Sequence, residues 1–257
     1  MKGSRNKKNL GPFVRKSSLI GMKEALKNVK DIIGANWEGL KGGTAHEFHT
    51  WEPTIYSGFN YEFNKDSGEM ELYFPGTSSD PYSIDDYPWY ALPLWVFHKA
   101  WSWVWNFLFI PFVIHIGFWW SAFRLRKAAL AICKGYDVKK VTLVGLSQGG
   151  AIATLVGNYI SKKSDLDVEV FNVGGPRSVG IITWPFYRTT SSYKVTNIRN
   201  NTDIVTLVPF IPLGYVTLGE RIRVSGNRQW IPFTPSFVDH YPGFYIEGLR
   251  KKIEEKS

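Results

Sequence analysis

The chain has 257 residues, of which 44% are hydrophobic and 21% charged; these proportions exclude a disordered chain and fit one sizeable domain. Its net charge is +9, but nine of the 31 basic residues and one of the 22 acidic ones fall in the first thirty positions. The rest is close to neutral, which excludes a fold that binds polyanions over its general surface. A lone cysteine, Cys133, excludes an intramolecular disulfide and favours a reducing, cytoplasmic setting.

In chain order, residues 1–17 read as a basic arm, ahead of a single domain over 18–257. The first apolar group, around Leu19 and Ile20, is broken by Lys23 and Lys27 before it reaches the length of a secretory signal core. Residues 18–33 predict an amphipathic helix. Leu19, Met22, Leu26, Val29 and Ile33 recur at three- and four-residue steps, and their face is expected to pack on the domain. Residues 56–63 and 70–74 read as a hairpin around the turn 64–68.

Seven of the eleven tryptophans then lie between Trp89 and Trp120, and residues 100–123 carry no fixed charge. That run has the length of a transmembrane helix, but Asn106, Pro111, His115 and Gly117 interrupt it. A single crossing would also place the two halves of the site derived below on opposite sides of a bilayer, so a span is rejected. Beyond it, helices are expected over 121–135 and 148–161, and strands over 140–144, 168–173 and 193–198. Cys133 falls in the first of these helices, where burial is expected. Short β-branched runs alternating with helices predict an α/β fold with a mainly parallel sheet covered by helices.

The segment Val141–Gly150 concentrates the chemistry. A buried apolar strand leads into Gly145-Leu-Ser147-Gln-Gly149 and then into a helix. G-x-S-x-G is a weak signal alone; between a hydrophobic strand and a helix it marks a nucleophile elbow, with the serine hydroxyl held above the sheet. Bulky neighbours two residues either side would clash, hence Gly145 and Gly149. The backbone N–H of Gln148, at the helix N-terminus, is placed to meet a developing oxyanion.

An elbow serine needs a base, and in this architecture the order along the chain is Ser, acid, His. Of the five histidines, His46, His49, His98, His115 and His240, only His240 follows Ser147. For the acid, Asp165 and Asp167 precede a strand and Glu169 falls within one. Asp239 adjoins His240 and cannot easily reach its neighbour's Nδ1. Asp203 follows the strand 193–198 across a polar turn and is the expected acid, with Glu220 in reserve. Ser147, Asp203 and His240 in these roles perform acyl transfer through an acyl-enzyme.

Over residues 70–240 these features resemble the class 3, or fungal-type, triacylglycerol lipases, which have the α/β-hydrolase fold. Leu72–Ser78 is similar to the family's strand and oxyanion loop, which implies Thr77 as a second oxyanion donor. Ile114–Phe118 is similar to H-x-G-F and implies a structural His115. Phe171–Arg177, Asn201–Pro209 and His240-Tyr241 are similar to the remaining segments. The departures are Leu146 and Gln148 in the elbow, as in cutinase-like and small carboxylesterase elbows, Pro75 in place of the usual Arg before Gly76, and the missing disulfides.

In such lipases a lid follows the oxyanion loop, and residues 82–112 occupy its place. Trp89, Trp95, Trp101, Trp103 and Trp105 are expected to form a lipid-facing lid or acyl-binding wall; an enlarged core or acyl tunnel is the alternative. The implied function is hydrolysis of lipid esters, of lipase or phospholipase A type, without metal or cofactor. With the basic arm, peripheral contact with an anionic membrane is expected. An inert membrane-binding module on a hydrolase fold, a short-chain esterase, a thioesterase and an acyltransferase are the other readings. Nucleic-acid binding is not expected, because the aromatic residues cluster away from the basic ones.

Overall fold

The computed structural model describes residues 19–37, 59–76, 109–225 and 238–257. The basic arm and residues 82–108 of the lid-like insertion lie outside them.

A six-stranded sheet forms the centre, built from β1 (Asn60–Asn64), β2 (Glu69–Phe74), β5 (Lys140–Leu146), β6 (Asp167–Val173), β8 (Tyr193–Asn200) and β10 (Glu220–Val224), in the order β1-β2-β5-β6-β8-β10. The hairpin partner β1 runs antiparallel to β2, and every other pairing is parallel. Such strands are covered on both faces, which is why six of the seven residues of β5 and five of the seven of β6 are buried. Val141, Leu143, Val168 and Val170 point to one face with Ala151 and Leu155. Val144, Leu146, Phe171 and Val173 point to the other, where Met22 and Leu249 pack.

Helices α2 (Ile116–Gly135) and α3 (Gln148–Lys163) cover the first face. α1 (Leu19–Trp37) and α5 (Pro242–Glu254) cover the second. The apolar face of α1 does pack inward, but it is rotated from the expected one: Met22, Ala25, Val29 and Ile32 are fully buried and Leu26 only partly. The small side chain of Ala25, which a scan for bulky apolar residues passes over, is fully buried in the same cluster.

A second, four-stranded antiparallel sheet lies in the order β3-β4-β7-β9. Its strands are two residues each: Phe109–Ile110, Ile114–His115, Val179–Gly180 and Tyr215–Val216. The charge-free run of residues 100–123 is therefore no single helix; its described part contains β3, a turn, β4 and the first turns of α2. Among the described residues no helix is long and apolar enough to cross a membrane. A short helix, α4 (Trp184–Tyr187), connects β7 to β8.

Cys133 is 1% exposed on α2, beside Met70 Sδ at 3.8 Å. Burial pushes its thiol up to about 12, so at pH 8 roughly one thiol in ten thousand is the reactive thiolate. An aromatic disulfide reagent at pH 8 is expected to leave native Cys133 unmodified and to titrate one thiol per chain after unfolding in guanidinium. Rapid modification of the folded protein would contradict this packing.

Candidate active site

Ser147 stands between the end of β5 and the start of α3, at φ +54° and ψ −124°. A non-glycine residue in that region is strained and persists only where its surroundings hold it. One restraint is its own N–H, which donates to Val173 O at the end of β6 (2.8 Å). The others are the glycines of the motif. A Cβ on Gly145 would lie 2.3 Å from Gly149 O, and one on Gly149 would lie 2.1 Å from Phe74 O and 2.4 Å from Pro75 O. Any side chain at either position would push α3 away from β2 and β5, and the serine with it. On the oxyanion side, a Cβ on Gly76 would stand 3.4 Å from Ser147 Cβ.

His240 ends a 3-10 turn, Val238–His240, just ahead of α5. Asn200, the last residue of β8, donates from Nδ2 to Asp239 O (2.9 Å) and ties this turn to the sheet. The imidazole Nε2 lies 2.8 Å from Ser147 Oγ, and Nδ1 lies 2.7 Å from Asp203 Oδ2. A carboxylate only accepts, so Nδ1 carries the proton and Nε2 is free to accept from the serine hydroxyl. The structure thus brings together the three side chains that chain order selected.

Asp203 is completely buried, and a buried carboxylate must be matched by donors. Its Oδ1 accepts the Val205 N–H (2.8 Å). Its Oδ2 accepts from His240 and also from the hydroxyl of Tyr245 on α5. Burial and the neighbouring Asp203 charge push the Tyr245 hydroxyl well above its ordinary range, so it stays protonated and donates. The acid loop is held from below as well. Thr206 Oγ1 donates to Asp203 O (2.9 Å) and accepts from Arg199 Nη2 (2.9 Å). Arg177 Nη1 donates to Leu207 O and, at 2.9 Å, to Pro209 O. Burial, with Arg199 and Arg221 nearby, lowers the Arg177 guanidinium to about 10, so it remains charged at neutral pH.

The other candidates fall elsewhere. Glu220 is exposed at the start of β10, in register with Thr196. Asp239 is fully buried, and neither of its carboxyl oxygens has a hydrogen-bond partner among the described residues. His115 is 2% exposed and caps α2: its Nδ1 accepts from Phe118 N (3.5 Å) and its ring stacks on Phe118 with centroids 3.8 Å apart. Gln148 opens α3, so its N–H belongs to the first turn beside Ser147. Thr77, Trp89, Trp95, Trp101, Trp103 and Trp105 lie outside the described residues. Among the described residues no cluster of His, Cys, Asp and Glu is grouped to hold a metal ion. Sequence reasoning missed Tyr245 and Asn200, because neither spacing nor residue type tells which hydroxyl or amide will face the acid or the histidine turn.

Residues 97–213 match the class 3 lipase family. No curated protein sequence matches the chain detectably. Solved structures do. The triacylglyceride lipase of Rhizomucor miehei superposes with a TM-score of 0.65 at 17% identity, over 92% of this chain and 98% of that one. The lipase of Rhizopus microsporus var. chinensis gives 0.62 at 18%, over 89% and 90%. Lipase II of Rhizopus niveus gives 0.60 at 20%, over 87% and 94%. The fold is that of the α/β-hydrolases.

Tyr245 is the test of this network outside the three residues themselves. Tyr245→Phe keeps the ring and removes one donor to a buried carboxylate, a bond worth about 1.5–3 kcal/mol. The expected result is a kcat about tenfold to a hundredfold lower with KM little changed, in a protein that still unfolds cooperatively. An unchanged kcat would show that the hydroxyl does nothing for the acid.

Proposed function

We propose that this α/β-hydrolase, whose residues 97–213 match the class 3 lipases, is a serine hydrolase that cleaves the carboxylic esters of lipids, as a lipase or phospholipase A-type enzyme. The single observation that carries the reading is the continuous relay from Ser147 Oγ through His240 to the buried Asp203, at 2.8 and 2.7 Å.

The chemistry follows from the proton positions. Ser147 Oγ attacks the ester carbonyl carbon while His240 Nε2 takes the hydroxyl proton, and Asp203 stabilises the imidazolium that forms. The carbonyl oxygen becomes an oxyanion at the first turn of α3, where the Gln148 N–H and the helix N-terminus meet it. Thr77, the residue after Gly76, is the proposed second donor. His240 then returns the proton to the leaving alcohol, and an acyl group remains on Ser147. Water attacks that acyl-enzyme with His240 again as base; the fatty acid leaves and the serine regains its proton. Asp203 stays ionised throughout, and the chain's own side chains and backbone supply every group, without metal or cofactor.

The segment with Trp89, Trp95, Trp101, Trp103 and Trp105 is the proposed lid or acyl wall. The basic arm is the proposed contact with anionic lipid, in an enzyme that works at the face of a membrane in a cytoplasmic setting.

A series of p-nitrophenyl esters from short to long acyl chains, with and without anionic vesicles, tests the substrate class. The expected result is turnover that rises with chain length and with vesicles. In Ser147→Ala it is expected to fall by at least about a thousandfold, the scale set by loss of a triad member. Turnover of short esters only would make this a soluble esterase. No turnover in the unaltered protein would remove the hydrolase reading.

A further inference from the structure

The small sheet presents its turns to solvent in an unusual way. Three chain segments meet there: residues 109–115, 178–187 and 204–219. None contains Asp, Glu, Lys or Arg. At their tips Ile110, Phe112, Ile181, Ile182, Phe210 and Ile211 are between 45% and 69% exposed. Scattered exposed apolar side chains need no explanation, but a contiguous group of bulky ones does.

The group is built, not frayed. Phe112 takes φ +63°, a left-handed backbone that is an outlier for a bulky residue. Its N–H donates to Leu213 O (2.8 Å), and its carbonyl accepts from Ile182 N (2.9 Å). Gly180 N donates to Val113 O (2.8 Å), Ile181 N to Gly214 O (2.8 Å) and Gly214 N to Ile211 O (2.7 Å). A Cβ on Gly214 would meet the Phe112 ring at 2.0 Å, and one on Gly180 would meet the Phe112 backbone at 2.2 Å. Two glycines and five cross-segment or turn hydrogen bonds hold the three tips together.

The tips also lie at the reactive end of the molecule. β7 follows β6 through residues 174–178, and β9 follows β8 through the acid loop. Both segments leave the sheet at the carboxyl edge from which Ser147 projects.

We propose that this tip inserts into a lipid surface and seats the Ser147 end of the sheet against it. The proposal deepens the lipid-ester reading and rests on it. Two features select lipid over a protein partner. Hydrocarbon demands segments without charge whose backbone groups are satisfied internally, and the interwoven tips supply both. A protein interface would call on hydrogen-bonding groups to share, whereas the six exposed side chains at the tips are all apolar. Charge agrees: the exposed Arg188 follows the exposed Phe186, and Lys162 Nζ donates to Phe186 O. Two cations thus flank the apolar segment 178–187, where they can meet headgroup phosphates.

The test uses the full chain carrying Ser147→Ala, so that lipid is not consumed, with vesicles of phosphatidylcholine and phosphatidylglycerol. An environment-sensitive fluorophore is attached in turn to Ile182→Cys, Ile211→Cys and, at the opposite edge of the sheet, Asp66→Cys; the buried Cys133 stays unlabelled. Labels at 182 and 211 are expected to brighten severalfold with vesicles and to be quenched by acyl-chain nitroxides, and the label at 66 to do neither. Bound protein with unquenched labels at 182 and 211 would overturn the proposal, as would no vesicle binding at all. Ile182→Asp with Ile211→Asp is expected to weaken vesicle partitioning at least about tenfold, since charge in the hydrocarbon region is costly; unchanged partitioning would contradict it. Should that variant fail to fold, the labels decide alone. Neither arm depends on hydrolysis, so failure here leaves the ester assay to judge the enzyme.

Discussion

A carboxylate with no access to water is the constraint around which this molecule is arranged. Asp203 is 0% exposed, and an ionised group there is tolerable only if donors replace its hydration. Three do so: the Val205 N–H, the Tyr245 hydroxyl and His240 Nδ1. The same bonds that make burial tolerable also fix the imidazole, so that its other nitrogen faces Ser147. In the proposed mechanism, stability and reactivity therefore depend on one set of contacts.

The donors come from distant parts of the sequence, and this explains much of the architecture. β8 carries the acid loop and, through Asn200, the turn that holds His240. α5 packs Leu249 into the core on the face shared with α1 and delivers Tyr245 from the same helix. Arg177, leaving β6, grips the carbonyls beyond the acid. β5 leads into Ser147, the proposed nucleophile, and Gly145 and Gly149 let α3 start close enough to β2 for the serine to stand at the edge. Parallel strands place all of these connections at one end of the sheet, as is usual for open α/β sheets. Two strands of the small antiparallel sheet, β7 and β9, are what β6 and β8 lead into, so the acid loop and the exposed apolar tips share a foundation.

Much of this was legible from residues alone, for identifiable reasons. The elbow was readable because Gly145 and Gly149 answer a steric demand that few residue types meet. His240 was readable because chain order left one histidine. Strands β5, β6 and β8 were readable from short β-branched runs alternating with helical segments, and their ends were misjudged by two residues at most. Other features carried no local signal. The small sheet is made of two-residue strands, and beyond the local β3–β4 pair their partners are remote in sequence, as in β4 with β7. β10 alternates Arg221 and Arg223 with Ile222 and Val224, and its charged half masks an edge strand that is apolar on one face only. α5 opens at Pro242-Gly243 and ends in lysines, so its short buried stripe of Tyr245, Gly248 and Leu249 is faint in periodicity. Tyr245 looks like any core tyrosine until its hydroxyl is seen against Asp203.

The most direct measurement on the central claim is the rate at which a fluorophosphonate ester modifies Ser147, followed by intact mass and peptide mapping. Attack on phosphorus needs the serine and an oriented imidazole as its base, but no lid, no vesicle and no knowledge of the natural ester. A single adduct on Ser147 is expected in the native chain, with the rate lowered by about ten-thousandfold in Asp203→Asn, where the wrong tautomer is held, and no adduct after unfolding. An adduct on another residue, or equal rates in the native chain and Asp203→Asn, would contradict the claim that the buried carboxylate organises the site.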